Sequence, residues 1–168
     1  MQPVLEQAGD ETGNQLLQAL ARDADLHLIG TNGNDILTSG SGFDILDGGS
    51  GHDTLDGDAG NDILNAGTDN DTYIFNLDDG QLEVMDANGY DVLKFGQGIN
   101  MQDIGLYQDD TYIYLEILDT GDKVRFETND NASQIAIDRI DFVDGTQWSQ
   151  SVLMNAVVVN SVNDWQVL

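Results

Sequence analysis

From Gly30 onward the chain keeps a nine-residue period, and that period restricts the fold more than any other feature of its 168 residues. Written in nines it reads GTNGNDILT, SGSGFDILD, GGSGHDTLD, GDAGNDILN and AGTDNDTYI. The sixth place is always acidic: Asp35, Asp44, Asp53, Asp62 and Asp71. The eighth place is always large and apolar: Leu37, Leu46, Leu55, Leu64 and Tyr73. The fourth is Gly33, Gly42, Gly51 and Gly60, then Asp69. A Gly-rich stretch of six residues makes a tight turn, because Gly supplies positive φ at little steric cost. The three residues left over make a short strand, in which place eight points inward and places seven and nine outward. Two nonapeptides complete one coil, so the expected fold is all-β, a parallel β-roll with a narrow core of eighth-place side chains. Composition alone suggests a disordered linker here. A linker, however, has no reason to keep Asp and an apolar residue in phase through five repeats.

Turns one, three and five stack along one edge of such a roll, and turns two and four along the other. Each sixth-place carboxylate then faces the turns above and below, and the ladders repel unless a cation lies between them. The composition agrees. The chain has 31 Asp and Glu against 5 Lys and Arg, a net charge of −26. Glu occurs only at Glu6, Glu11, Glu83, Glu116 and Glu127. Short Asp carboxylates beside Gly and Asn build oxygen cages for hard cations such as calcium. The charge disfavours nucleic acid and anionic membranes as partners. No cysteine is present, so neither disulfides nor thiolate metal sites can staple the chain, and metal ions are the natural substitute. No apolar run reaches membrane-spanning length, and no secretory signal peptide is expected at the N-terminus.

The repeats resemble the RTX (repeats-in-toxin, haemolysin-type) calcium-binding family, whose pattern is G-G-x-G-x-D-x-U-x with U a large apolar residue. The resemblance implies ions held between turns two apart, by backbone carbonyls and both sixth-place Asp residues. A first ion would take Thr31, Gly33 and Asp35 from below with Gly48, Ser50 and Asp53 from above. A second, on the other edge, would take Gly40, Gly42 and Asp44 with Gly57, Ala59 and Asp62. A third would take Gly49, Gly51 and Asp53 with Ala66, Thr68 and Asp71. Further along, 86–93 mimics the repeat, with Asp91 in place six and Leu93 in place eight, 20 residues after Asp71 and Tyr73. Gly67, Asp69 and Asp71 would then face Asp86, Asn88 and Asp91, and Asp78 with Asp79 would close the other edge. About three to five Ca2+ ions are expected in all.

The open ends of a solenoid need covering. The run Thr12-Gly13-Asn14-Gln15 has the form of a capping box, predicting a short helix with Leu16, Leu17 and Leu20 on one face. Beyond the repeats the pattern changes to longer alternating strands, expected at 72–77, 81–85, 92–95, 111–118, 123–128 and 135–143. This region resembles the haemolysin-type calcium-binding-related domain, above all at Ile140-Asp141-Phe142-Val143-Asp144-Gly145-Thr146-Gln147-Trp148, with Gly121-Asp122-Lys123-Val124 as a weaker match. The expected organisation is an N-terminal cap over 1–29, a roll over 30–75, a β-rich cap over 76–150 and a tail over 151–168.

No catalytic pattern is present: His27 and His52 are isolated, no H-E-x-x-H occurs, and Gly49-Ser50-Gly51 lacks the frame of a nucleophile elbow. The chain is therefore expected to be a non-enzymatic, secreted bacterial module that folds on calcium outside the cell. Family resemblance implies export by type I secretion machinery, with 151–168 as a candidate uncleaved signal or simply a last strand. The alternative is a calcium-dependent adhesion module with a cell-surface or glycan ligand, for which Tyr107, Tyr112 and Tyr114 are candidates.

Overall fold

A computed structural model of the chain describes residues 4–6, 15–18, 24–85, 88–109, 111–127, 136–159 and 166–167. The strands of the roll are β1 (Val4–Glu6), β2 (Gln15–Gln18), β3 (His27–Ile29), β4 (Asp35–Thr38), β5 (Ile45–Ser50), β6 (Thr54–Asp56), β7 (Gly60–Thr68), β8 (Thr72–Phe75), β9 (Gly80–Met85) and β10 (Val92–Phe95). They are followed by β11 (Ile104–Gln108), β12 (Tyr112–Ile117), β13 (Lys123–Glu127), β14 (Arg139–Asp141), β15 (Gln147–Ser149), α1 (Gln150–Val159) and β16 (Gln166–Val167).

Strands alternate between two sheets, as two short repeats per coil require. One has the order β1-β3-β5-β7-β9-β13-β12-β11-β16, the other β15-β14-β10-β8-β6-β4-β2. Within the roll every pairing is parallel. Register keeps the eighth-place residues in columns: Leu28, Leu46, Leu64 and Val84 in the first sheet, Leu37, Leu55, Tyr73 and Leu93 in the second. All eight side chains are buried. Each is worth roughly 1.5–3 kcal/mol of burial, but a coil supplies only two of them, so the roll is thinly cored.

The expected N-terminal helix is corrected. Residues Gln15–Gln18 form a strand, parallel to β4 with Leu17 opposite Leu37. The local capping signal loses because the free edge of β4 offers a row of unpaired amides and carbonyls, which an added strand satisfies at once. Thr12, Gly13, Asn14 and Leu20 lie outside the described residues. Ile36 of β4 is 39 % exposed.

The strands expected at 92–95, 111–118 and 123–128 appear within a residue of their predicted ends. That expected over 135–143 shortens to β14. Here the chain does not merely cover the end of the roll: it continues both sheets. β13 pairs parallel with β9 and β14 parallel with β10, so the pairing runs unbroken past residue 75. The Asp144-Gly145-Thr146 segment explains itself. Gly145 has φ +88, Thr146 N donates to Asp144 Oδ1 at 2.8 Å, and the turn sets Trp148 opposite Ile140. Trp148 is core, edge-on to Phe142 at 5.0 Å, which in turn meets Phe95 at 5.3 Å. The tail departs from the simple last strand. A helix over Gln150–Val159 leads into it with Leu153 buried, and among the described residues of the tail Gln166–Val167 pair as a strand, against β11.

Candidate metal centre

The turns place the sixth-place carboxylates in two ladders. Along the edge leading into the second sheet, the amide of Asp35 donates to Asp53 Oδ1 at 2.8 Å, that of Asp53 to Asp71 Oδ1 at 2.7 Å, and that of Asp71 to Asp91 Oδ1 at 2.8 Å. Along the other edge, the amide of Asp44 donates to Asp62 Oδ1 at 2.9 Å. Asp35, Asp44, Asp53, Asp62, Asp71 and Asp91 are all buried, although each closes a turn at the rim. Asp91 thus joins the ladder through the 20-residue step that its spacing predicts.

These amide bonds occupy only one oxygen of a carboxylate. Asp35 Oδ1 and Asp53 Oδ2 are buried with no hydrogen-bond partner. A buried, unsatisfied acceptor costs about 1–3 kcal/mol, and more when charged. The place-one glycines show where these groups point. A Cβ on Gly30 would lie 2.8 Å from Asp35 Oδ2, one on Gly57 2.7 Å from Asp62 Oδ2, and one on Gly48 would meet Asp53 Oδ2 and, at 2.7 Å, the Ala66 carbonyl. Carboxylate and carbonyl oxygens therefore converge where a side chain would otherwise stand. Thr31 O and Gly42 O each accept one bond from the turn above, from Ser50 at 3.3 Å and Asn61 at 3.2 Å, and a carbonyl has a second lone pair to give.

Among the described residues no three His, Cys, Asp or Glu side chains gather into a metal site on their own. The turns offer another donor set, two carboxylates plus backbone carbonyls, all hard oxygens, which suits calcium and not a thiophilic or imidazole-seeking metal. Burial, and the neighbouring Asp71 and Asp35 carboxylates, push Asp53 up to about 7; burial likewise lifts Asp62 to about 8.

Gly49 stands opposite Gly67, and Ser50 opposite Thr68. Gly40 N approaches Asp44 Oδ2 at 3.4 Å, and Gly42 pairs with Gly60 one coil above, beside Ala59, whose carbonyl accepts from Gly42 N. Asp69, in a Gly place, adopts φ +84. Asn88 bridges to Thr68, and Asp86 lies outside the described residues. Gly51 has φ +108, and a Cβ there would lie 2.7 Å from Gly33 O. Gly51→Ala is expected to cost about 1–3 kcal/mol of stability in calcium, read as a lowered thermal midpoint.

Several contributors were not anticipated. Leu26 and Leu82 occupy place six below Asp44 and above Asp62, so the first-sheet edge holds one carboxylate pair between two buried leucines. The other edge holds four consecutive pairs, 35/53, 53/71, 71/91 and, through the amide of Asp91 donating to Asp138 Oδ2 at 3.0 Å, 91/138. Asp79 was expected, with Asp78, at the first-sheet edge; it is buried, and burial with Asp56 and Asp58 pushes it up to about 7. Tyr73 spends its hydroxyl accepting from Ala66 N at 3.0 Å, inside the core. Place-six leucines leave a visible signal, a break in the Asp column at fixed spacing. The Tyr73 contact leaves none.

Two parallel sheets joined by carboxylate-bearing turns define a β-solenoid suited to hard cations. Residues 29–64, 38–73 and 47–82 match the family model of the RTX calcium-binding nonapeptide repeat, and 113–151 match that of the haemolysin-type calcium binding protein related domain. The matches are to RTX calcium-binding repeats followed by that related domain, and such repeats imply a calcium-binding module. Such repeats are typically structural or binding elements rather than catalytic ones. No curated protein matches the chain. None of the described helices is long and apolar enough to cross a membrane.

Proposed function

We propose that the chain is the calcium-folded module of an exported protein, compact where calcium is plentiful and loosely structured where it is scarce. The observation that carries this is the pair of orphaned, buried oxygens on Asp35 and Asp53. Asp35, Asp53, Asp71 and Asp91 on one edge, with Asp44 and Asp62 on the other, would hold the ions together with the carbonyls between them. Extracellular calcium sites bind with dissociation constants of about 10⁻⁴–10⁻³ M. At tenfold that concentration each site contributes about 1.4 kcal/mol, and several acting on a thin core decide whether it folds. In the cytosol, where free calcium is far lower, the same chain stays open enough to thread a type I channel. In this reading 151–168 serves as the export signal and the continuous C-terminal sheet nucleates the roll.

The test is a calcium titration of chelator-treated protein followed by far-ultraviolet circular dichroism, with magnesium as control. A cooperative gain of β signal between about 0.1 and a few millimolar, specific to calcium, is expected. A spectrum already folded in chelator and indifferent to calcium would refute a folding switch.

A further inference from the structure

The outer face of the first sheet carries a feature that calcium binding does not use. Register aligns Tyr107, Tyr114, Arg125, Glu83 and Ile63 in one row across β11, β12, β13, β9 and β7. Beside it runs a second row, Glu116, Lys123, Gln81 and Asn61. Between the rows lies a depression of about 210 Å³ bordered by Tyr114, Arg125 and Lys123 at one end and by Asn61, Ile63 and Phe43 at the other. Three of the chain's five tyrosines and two of its five basic residues stand on this face.

The groups are fixed in place. Tyr107 and Tyr114 stack at 4.7 Å and 9°, and the Arg125 guanidinium sits 4.8 Å from the Tyr112 ring. The Tyr114 hydroxyl donates to Asp109 at 2.7 Å, the Tyr112 hydroxyl to Glu83 at 3.1 Å, and the Tyr107 hydroxyl to Glu116 at 3.2 Å. Lys123 pairs with Glu116 at 3.2 Å and Arg125 with Glu83. Cross-strand stabilisation accounts for the tyrosine and arginine row. It does not account for the adjoining depression, where exposed Asn61, Gln81 and the 40 %-exposed Phe43 come from the roll.

The chemistry selects the occupant. Both cations are already neutralised by carboxylates in a chain of net charge −26, so a polyanion gains little here. A peptide adding as a strand needs a free sheet edge, and this is the face of strands paired on both sides. What remains is a rigid aromatic surface edged by fixed donors and acceptors, complementary to a pyranose ring with its apolar C–H face and rim of hydroxyls. We propose that this groove binds a neutral saccharide chain, with Tyr114 and Phe43 as ring platforms and Asn61 and Gln81 as hydroxyl partners. The cleft is smaller than the roughly 300–1,000 Å³ of a typical ligand pocket, so it seats a sugar unit of a longer polymer running across the strands. The proposal stands whether or not calcium drives folding.

The test is affinity electrophoresis of the full chain in calcium, through gels cast with dextran, galactomannan or a soluble β-glucan, and with alginate as the anionic arm. Retardation by at least one neutral polymer is expected, weakened at least tenfold in Tyr114→Ala and retained in Tyr90→Ala, an exposed tyrosine outside the groove. Gln81→Ala, an exposed substitution, provides the same reading if Tyr114→Ala loses its circular dichroism spectrum. No retardation by any neutral polymer, retardation by alginate alone, or retardation untouched by the groove substitutions would overturn it.

Discussion

Asp53→Ala is expected to lose about twice as much calcium-dependent stability as Asp44→Ala, about 2.8 against about 1.4 kcal/mol at tenfold the dissociation constant. The reason is position in the ladder. Asp53 faces Asp35 on one side and Asp71 on the other, whereas Asp44 faces Asp62 above but Leu26 below. The two substitutions are otherwise close to matched, since each removes a buried carboxylate and the bond it accepts from the amide one coil below, Asp35 N or Leu26 N, with Asp44 losing in addition the longer 3.4 Å bond from Gly40 N. Thermal unfolding in calcium and in chelator, compared for the two variants, isolates the metal-dependent part. Equal losses would mean that Asp53 and Asp44 touch equal numbers of ions, contrary to the interruption of one Asp column by leucine.

The metal-free chain is expected to behave in the opposite way to an ordinary acidic protein as pH changes. Burial pushes Asp53 and Asp79 up to about 7 and Asp62 up to about 8, from 3.8. Between those values the folded state binds more protons than the unfolded one. The contribution of these groups is therefore fully present below about pH 4 and is lost as pH rises through 7 to 8. In chelator, the thermal midpoint should fall from pH 5 to pH 8. In saturating calcium the fall should vanish or reverse, because an ion takes the place of the protons and binds only the ionised carboxylates. A chelator midpoint that rises over this range would show that the carboxylates are ionised in the metal-free fold.

Much of the molecule was legible because the period is short and strict. Asp35, Asp44, Asp53, Asp62 and Asp71 had to share one turn position, and Leu37 through Tyr73 one core position, once the strands were three residues long. Even the irregular step to Asp91 and Leu93 could be followed, since two added residues lengthen a turn without changing which side chain faces inward. The same arithmetic fails for β14. Its Ile140 continues the column above Leu93 after 47 residues, and no spacing rule bridges such an insertion.

The ends were the least legible. Thr12 to Gln15 carries a local helix-start pattern, yet 15–18 is a strand because β4 presents an open edge only after the roll exists. Gln150–Val159 is helical through the docking of Leu153, a contact invisible in a run with no charge pattern or cap. The groove beside Tyr114 likewise joins β12 and β13 to Asn61 and Gln81 of the roll, an adjacency produced by β13 pairing with β9.

The sequence by itself determined the repeating unit, its turn and strand, the inward residue and the ladder of acids, because each follows from contacts within one or two coils. Only the tertiary structure decided how the ladders end, how the C-terminal strands extend both sheets and which surface side chains meet. Those outcomes depend on pairing between segments more than 40 residues apart, where free edges and buried area outweigh local preference.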